Sequence, residues 1–155
     1  MKKKSIAVVI LLLILTGIAS FIYLHSRNDA PRGTLTVTCG AKTELVDPFR
    51  ASPVPVRGTT VNNKGEKKDI DETGVTLSGV IALTAFEKET YTSARVVSSD
   101  EYAADVTADE ISDPQKAFLL RQKSKDGNEE IRLIVFGDEN SKRQIKDVTR
   151  IELQK

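Results

Sequence analysis

A chain of 155 residues with a formal net charge of +1 has room for one modest domain and lacks the strongly positive field that non-specific nucleic-acid binding needs. A single Cys excludes an internal disulfide, and a single His, His25, leaves no Cys–His or Ser–His nucleophile pair in the body of the chain. No GxGxxG, Walker or HExxH pattern occurs, so no motif points to dinucleotide, P-loop or zincin chemistry.

At the amino end, Lys2, Lys3 and Lys4 precede an uncharged, mostly apolar stretch from Ile6 to Leu24. As a helix it would be ~28 Å long, close to the hydrocarbon thickness of a bilayer. The basic side is expected in the cytoplasm, which makes the chain a single-pass protein of the cell membrane with an extracytoplasmic C-terminal domain. Gly17-Ile18-Ala19 offers an alternative, a signal peptide cut after Ala19 and a secreted product. Phe21-Ile22-Tyr23-Leu24 continues the apolar run past that point and favours an uncleaved anchor over residues 1–27, with a polar tether over 28–32 and a domain over 33–155. Residues 1–27 hold four of the 23 basic residues and none of the 22 acidic ones, so the remainder carries a formal −3. Cys39 follows Thr36-Val37-Thr38, without the small residue expected before a lipidated Cys.

In the domain, Thr34–Thr38 alternates and is rich in β-branched residues, which predicts a strand. Pro48, Pro53 and Pro55 predict an irregular edge over 47–55, after which Val54–Val61 reads as a strand. Asn62-Asn63-Lys64-Gly65 turns the chain back through 66–70. Leu77, Val80, Ile81 and Thr84 share one helical face, predicting a helix over Gly74–Phe86. Tyr91–Val97 and Tyr102–Val106 flank a hairpin turn, and Thr107-Ala108-Asp109-Glu110 is a capping box opening a short helix that ends before Pro114. Ala117–Gln122 and Glu130–Phe136 are expected strands about a turn at 125–128, and Gln144–Leu153 is the expected last strand. Many short strands with a few short helices make an α+β domain.

Several landmarks in this order resemble the molybdopterin-binding domain of sulfite-oxidase-type oxidoreductases. Gly74-Val75-Thr76-Leu77 resembles that family's Gly-Val-x-Leu entry to a helix, and Ser98-Ser99-Asp100-Glu101-Tyr102 its Ser-x-Asp-Gly-Tyr hairpin. Phe118-Leu119-Leu120 with Arg132-Leu133-Ile134-Val135 resembles its Pro-Leu-Arg-Leu-Val strand, and Gly137 through Ile151 its closing basic segment. The resemblance implies a sulfite-oxidase-like fold of mixed sheets over residues 33–154. It also implies that Arg143 and Lys146, with the turn residues Ser141 and Lys142, approach an anionic pterin, and that Gly137 permits close backbone approach. Charge-assisted bonds from basic side chains suit phosphate.

The chain departs from the family at the metal ligand. Laying Val56–Asn63 on the strand before the cofactor cavity puts Asn62 or Asn63 where the enzymes carry a Cys. An amide does not replace a soft thiolate. Cys39 is the one remaining candidate ligand, and as a lone Cys on a strand it reads first as a small buried hydrophobe. Arg57, Lys64, Lys67 and Lys68 form a second basic group around a hairpin, read as guards of a sheet edge. The acidic groups Asp69-Asp71-Glu72 and Asp109-Glu110-Asp113 lack calcium-loop spacing and read as solvated. Three functions follow as expectations. The first is a non-catalytic domain with a molybdopterin-binding-like fold, held at the membrane through residues 6–24 and binding an anionic small molecule or an envelope protein. The second is a small molybdopterin-dependent oxidoreductase. The third is a structural or accessory envelope protein. The first implies no cofactor, the second molybdopterin, and none a nucleic acid.

Overall fold

Leu35, Val37 and Cys39 alternate with Thr36 and Thr38 along the first strand, β1 (Leu35–Cys39), and this alternation turns the apolar set toward the core. The computed structural model describes residue 10, residues 12–20 and residues 31–155. Nine strands follow one another as β1, β2 (Lys42–Val46), β3 (Val54–Val61), β4 (Lys67–Thr76), β5 (Ser93–Ser98), β6 (Ala103–Thr107), β7 (Ala117–Lys123), β8 (Glu129–Val135) and β9 (Val148–Gln154). Two one-turn helices, α1 (Leu77–Ile81) and α2 (Ala108–Ser112), and a 3-10 turn at Pro48–Arg50 complete a strand-dominated α+β domain.

The strands form a five-stranded sheet in the order β2-β1-β9-β5-β6 and a four-stranded sheet in the order β3-β4-β7-β8. Among the described residues only the β1–β9 pair is parallel. Register carries the apolar rows straight across the first sheet. Val37 lies opposite Ile151, Ile151 opposite Val96 and Val96 opposite Ala104. These side chains share one core with Val75, Leu119, Leu133 and Val135 of the second sheet.

The second sheet has a core of its own on its other face, made by Val56, Ile70, Phe118, Leu120 and Ile134, with Phe136 packed against it. In a flat sheet β3 and β8 would stand three strand spacings apart, about 14 Å. Instead, a Cβ placed on Gly58 of β3 would lie 2.8 Å from the ring of Phe136, just past β8. The sheet therefore coils until its edges meet over this second core. Gly58 permits the approach because it has no side chain to obstruct the ring. Phe136 in turn meets Phe118 edge to face at 5.7 Å.

The predicted hairpins form as expected, but three boundaries move. The helix expected over Gly74–Phe86 shrinks to Leu77–Ile81, because Gly74, Val75 and Thr76 pair with Leu120, Leu119 and Phe118 and finish β4. Thr76 then caps the helix, its Oγ1 accepting from the Gly79 amide at 3.0 Å. The predicted face survives, since Leu77, Val80, Ile81 and Thr84 are all buried. The strand expected from Gln144 starts at Val148, after Asp147 takes a positive φ of 52°. Ile145 is buried for a different reason, with its carbonyl accepting from Leu133 of β8 at 2.8 Å. Strand β2 was not expected.

Residues 12–20 are helical and their side chains exposed. Among the described residues no helix is long and apolar enough to cross a membrane. The rest of the apolar stretch 6–24, the basic residues before it and tether positions 28–30 lie outside the described residues.

Candidate functional site

The segment 137–147 closes one side of the sandwich, bridging the β8 edge to β6 and α2. Gly137 opens it with φ +89°, and a Cβ there would fall 2.7 Å from Lys116 Nζ. Asn140 Oδ1 accepts from the Lys142 amide at 3.0 Å, and the Ser141 carbonyl from the Gln144 amide at 3.0 Å, so the basic tripeptide Ser141-Lys142-Arg143 rides on a tight turn. Tyr102 ties it to the 98–102 hairpin by donating its hydroxyl to the Lys142 carbonyl at 2.8 Å. In that hairpin the Ser98 hydroxyl, and then the Tyr102 amide, hold the Asp100 carboxyl below its ordinary range.

Arg143 points inward. Its Nε donates to Asp138 Oδ2 at 2.9 Å, and Nη2 donates to Asp138 Oδ1 and to Glu110 Oε1, the latter at 2.8 Å. Nη1 donates to Glu110 Oε2 at 2.7 Å and to the Asp105 carbonyl at 3.3 Å. A guanidinium has five N–H donors, and all five are matched by acceptors of this chain. One cation between two carboxylates leaves a net negative cluster. Hydrogen bonds from Arg143 lower the Glu110 carboxyl to about 2 against the opposing effect of burial, and the Thr107 amide adds to the shift. The same bonds raise the Arg143 pKa. Glu110 is therefore not the solvated side chain expected from sequence. It serves twice, completing the capping box with Thr107 and clamping the closing segment.

Lys142 and Lys146 are exposed, whereas Arg143 is part-buried. Lys146 also does not begin a strand, as it precedes the turn at Asp147. Of the two positions aligned with the missing metal ligand, Asn63 reaches the closing segment, its Oδ1 accepting from the Ser141 hydroxyl at 3.0 Å. Asn62 spends its amide on its own turn, accepting from the Lys64 and Glu66 backbone and donating to Glu66 Oε2 at 2.6 Å. Cys39 is 5% exposed and packed in the main core. Register places it opposite Leu153, then Ala94, then Val106, so it stands three strand spacings, about 14 Å, from the β6 backbone that Arg143 touches. No thiolate faces the closing segment and its arginine is saturated, so these residues do not fit a molybdenum–pterin group.

A different concavity offers open chemistry. Coiling of the second sheet leaves a cleft of about 400 Å³ between β3 and the Pro114–Gln115 turn. Phe118, Phe136, Pro55 and Pro114 give it an apolar lining, and Arg57 and Gln115 give it polar groups. Arg57 is exposed and pairs with Asp71 through Nε at 2.8 Å, and its Nη groups have no acceptor among the described residues. The sequence alone marks Arg57 as an edge guard. The signal that could have flagged it is the Pro55-x-Arg57-Gly58 run, which combines an edge-strand proline with a glycine that leaves room for another group.

Comparison with protein-family models and with curated proteins gave no match to this chain.

Proposed function

We propose that this chain is a membrane-anchored extracytoplasmic binding domain, with a molybdopterin-binding-like fold that does not carry out that family's redox chemistry. The single observation that carries the non-catalytic reading is the saturation of Arg143 by Glu110, Asp138 and the Asp105 carbonyl. An arginine whose donors are all matched cannot hold a phosphate without breaking its own clamp. Support for the fold likeness comes from the order of landmarks and from the contact between residue 63 and residue 141. The anchor rests on the lysines at 2–4 and the apolar stretch 6–24.

The ligand site of this reading is the β3 cleft. Its volume falls within the range of small-molecule sites. Two phenylalanines and a guanidinium with spare donors suit an anionic group carried on an apolar body. Two experiments on the full chain test the proposal. Elemental analysis for molybdenum and tungsten, with pterin fluorescence after oxidation, should give background values in a host that loads a control molybdoenzyme. Stoichiometric metal and pterin would establish an oxidoreductase instead. Phenylacetate, an aryl carboxylate, should raise the melting temperature with increasing concentration, and Arg57→Ala should remove the shift.

A further inference from the structure

Three large apolar side chains are exposed in residues 31–155, Leu45, Leu83 and Tyr102, and the first two line one cleft of about 320 Å³ with Asp47 and Arg50. Leu45 lies on β2, an edge strand, and Leu83 just beyond α1. The Asp47 carboxylate accepts from the Phe49 amide at 3.0 Å, whereas Arg50 has no carboxylate partner among the described residues. Nearby, Arg121 stacks 4.5 Å above the Phe49 ring and pairs with Glu129 at 3.9 Å.

The position of the patch relative to the chain says what covers it. Register puts Val46 directly opposite Leu35, the first residue of β1. The patch therefore lies at the end of the sheet where the chain enters from the tether. Residues 25–34 separate Leu35 from the apolar stretch, and ten extended residues reach about 35 Å at most. We infer that Leu45 and Leu83, with Arg50 beside them, form a docking face that rests on the lipid surface next to the chain's own anchor. Leucines enter the boundary between headgroups and acyl chains, and an unpaired arginine meets lipid phosphate. A short tether makes the contact intramolecular in effect, so a small apolar area is enough to hold it. The inference rests on the anchored reading proposed above. It assigns an orientation to the domain and turns the β3 cleft, with the hairpin tip bonded to the closing segment, toward the opposite edge of the first sheet.

The test places an environment-sensitive label on Ala82→Cys, which keeps both leucines, in full-length chain reconstituted into vesicles of phosphatidylcholine and phosphatidylglycerol with brominated acyl chains. Buried Cys39 stays unlabelled. A control label sits on Lys64→Cys at the hairpin tip. The label at 82 should be quenched roughly threefold more than the label at 64, and Leu45→Ser with Leu83→Ser should abolish the difference without unfolding the domain. Chain that floats with the vesicles but shows equal quenching at both labels would overturn the docking face and leave the anchor standing. Chain that does not float with vesicles would overturn both. A label shift at 82 that follows protein concentration without lipid would give the patch to a second copy, again against the inference.

Discussion

Two basic turns, the closing segment at 141–146 and the β3–β4 hairpin around Arg57, look alike in sequence and differ in what their own chain provides. Around Arg143 the fold brings a carboxylate from α2, a carboxylate from the same loop and a β6 carbonyl, so the positive charge is consumed internally. Around Arg57 it brings one exposed aspartate, and a cleft floored by two phenylalanines lies alongside. The difference teaches that a run of basic residues marks an anion site only where the fold withholds acceptors. Half-buried pairs hold structure together, while solvent-exposed pairs contribute little and stay available.

The largest expected effect tests the first half of that contrast. Arg143→Ala would strand Glu110 and Asp138 beside each other, partly buried and unpaired, and should destabilise the domain by about 3 kcal/mol in urea unfolding. Arg143→Lys should recover only part, because an ammonium cannot reproduce the forked geometry. A small loss in both variants would mean that the clamp is incidental.

Acid should reveal the same clamp. Glu110 titrates at about 2 in the fold against 4.5 for a free carboxyl. Its contribution is therefore complete above pH 4.5 and declines as pH falls toward 2, by about 3 kcal/mol at most. Urea midpoints between pH 5 and pH 2.5 should fall more steeply in the parent than in Arg143→Met. Parallel slopes would argue against Glu110 as the responsible group. On the hairpin side, Gly58→Ala forces a methyl against the Phe136 ring and should cost about 1–3 kcal/mol, with the ring displaced into the cleft. Loss of the phenylacetate shift in that variant would place the ligand at Phe136. Arg57→Ala is the mildest, expected within about 0.5 kcal/mol of the parent because its ion pair is exposed. A large stability loss there would erase the contrast between the two turns.

Turn chemistry made much of the fold legible. The Asn62–Gly65 and Lys125–Asn128 turns place Gly65 and Gly127 at φ near +80°, where glycine is favoured, and their hairpins were readable from those residues. The Thr107–Glu110 capping box was readable for the same reason, since its partners are three residues apart. Strand β2 escaped because Lys42-Thr43-Glu44-Leu45-Val46 has mostly polar side chains, as befits an edge with little to bury. Ile145 looked like strand because it is apolar and buried, yet it is a loop residue laid along β8. The site was the least legible part. Glu110 meets Arg143 across 33 residues of sequence, and the coiling that builds the cleft depends on the meeting of Gly58 with Phe136. Neither leaves a local pattern to read.

The position of β9 sets the order of events during synthesis. It occupies the middle of the five-stranded sheet, parallel to β1 on one side and antiparallel to β5 on the other, and it is the last of these strands to be made. Until residues 148–154 emerge, β1–β2 and β5–β6 are two separate hairpins with a gap between them and an uncovered apolar row on each. Contacts so distant along the chain form late and slowly. The first sheet therefore closes only once residues 148–154 are available to fill that gap.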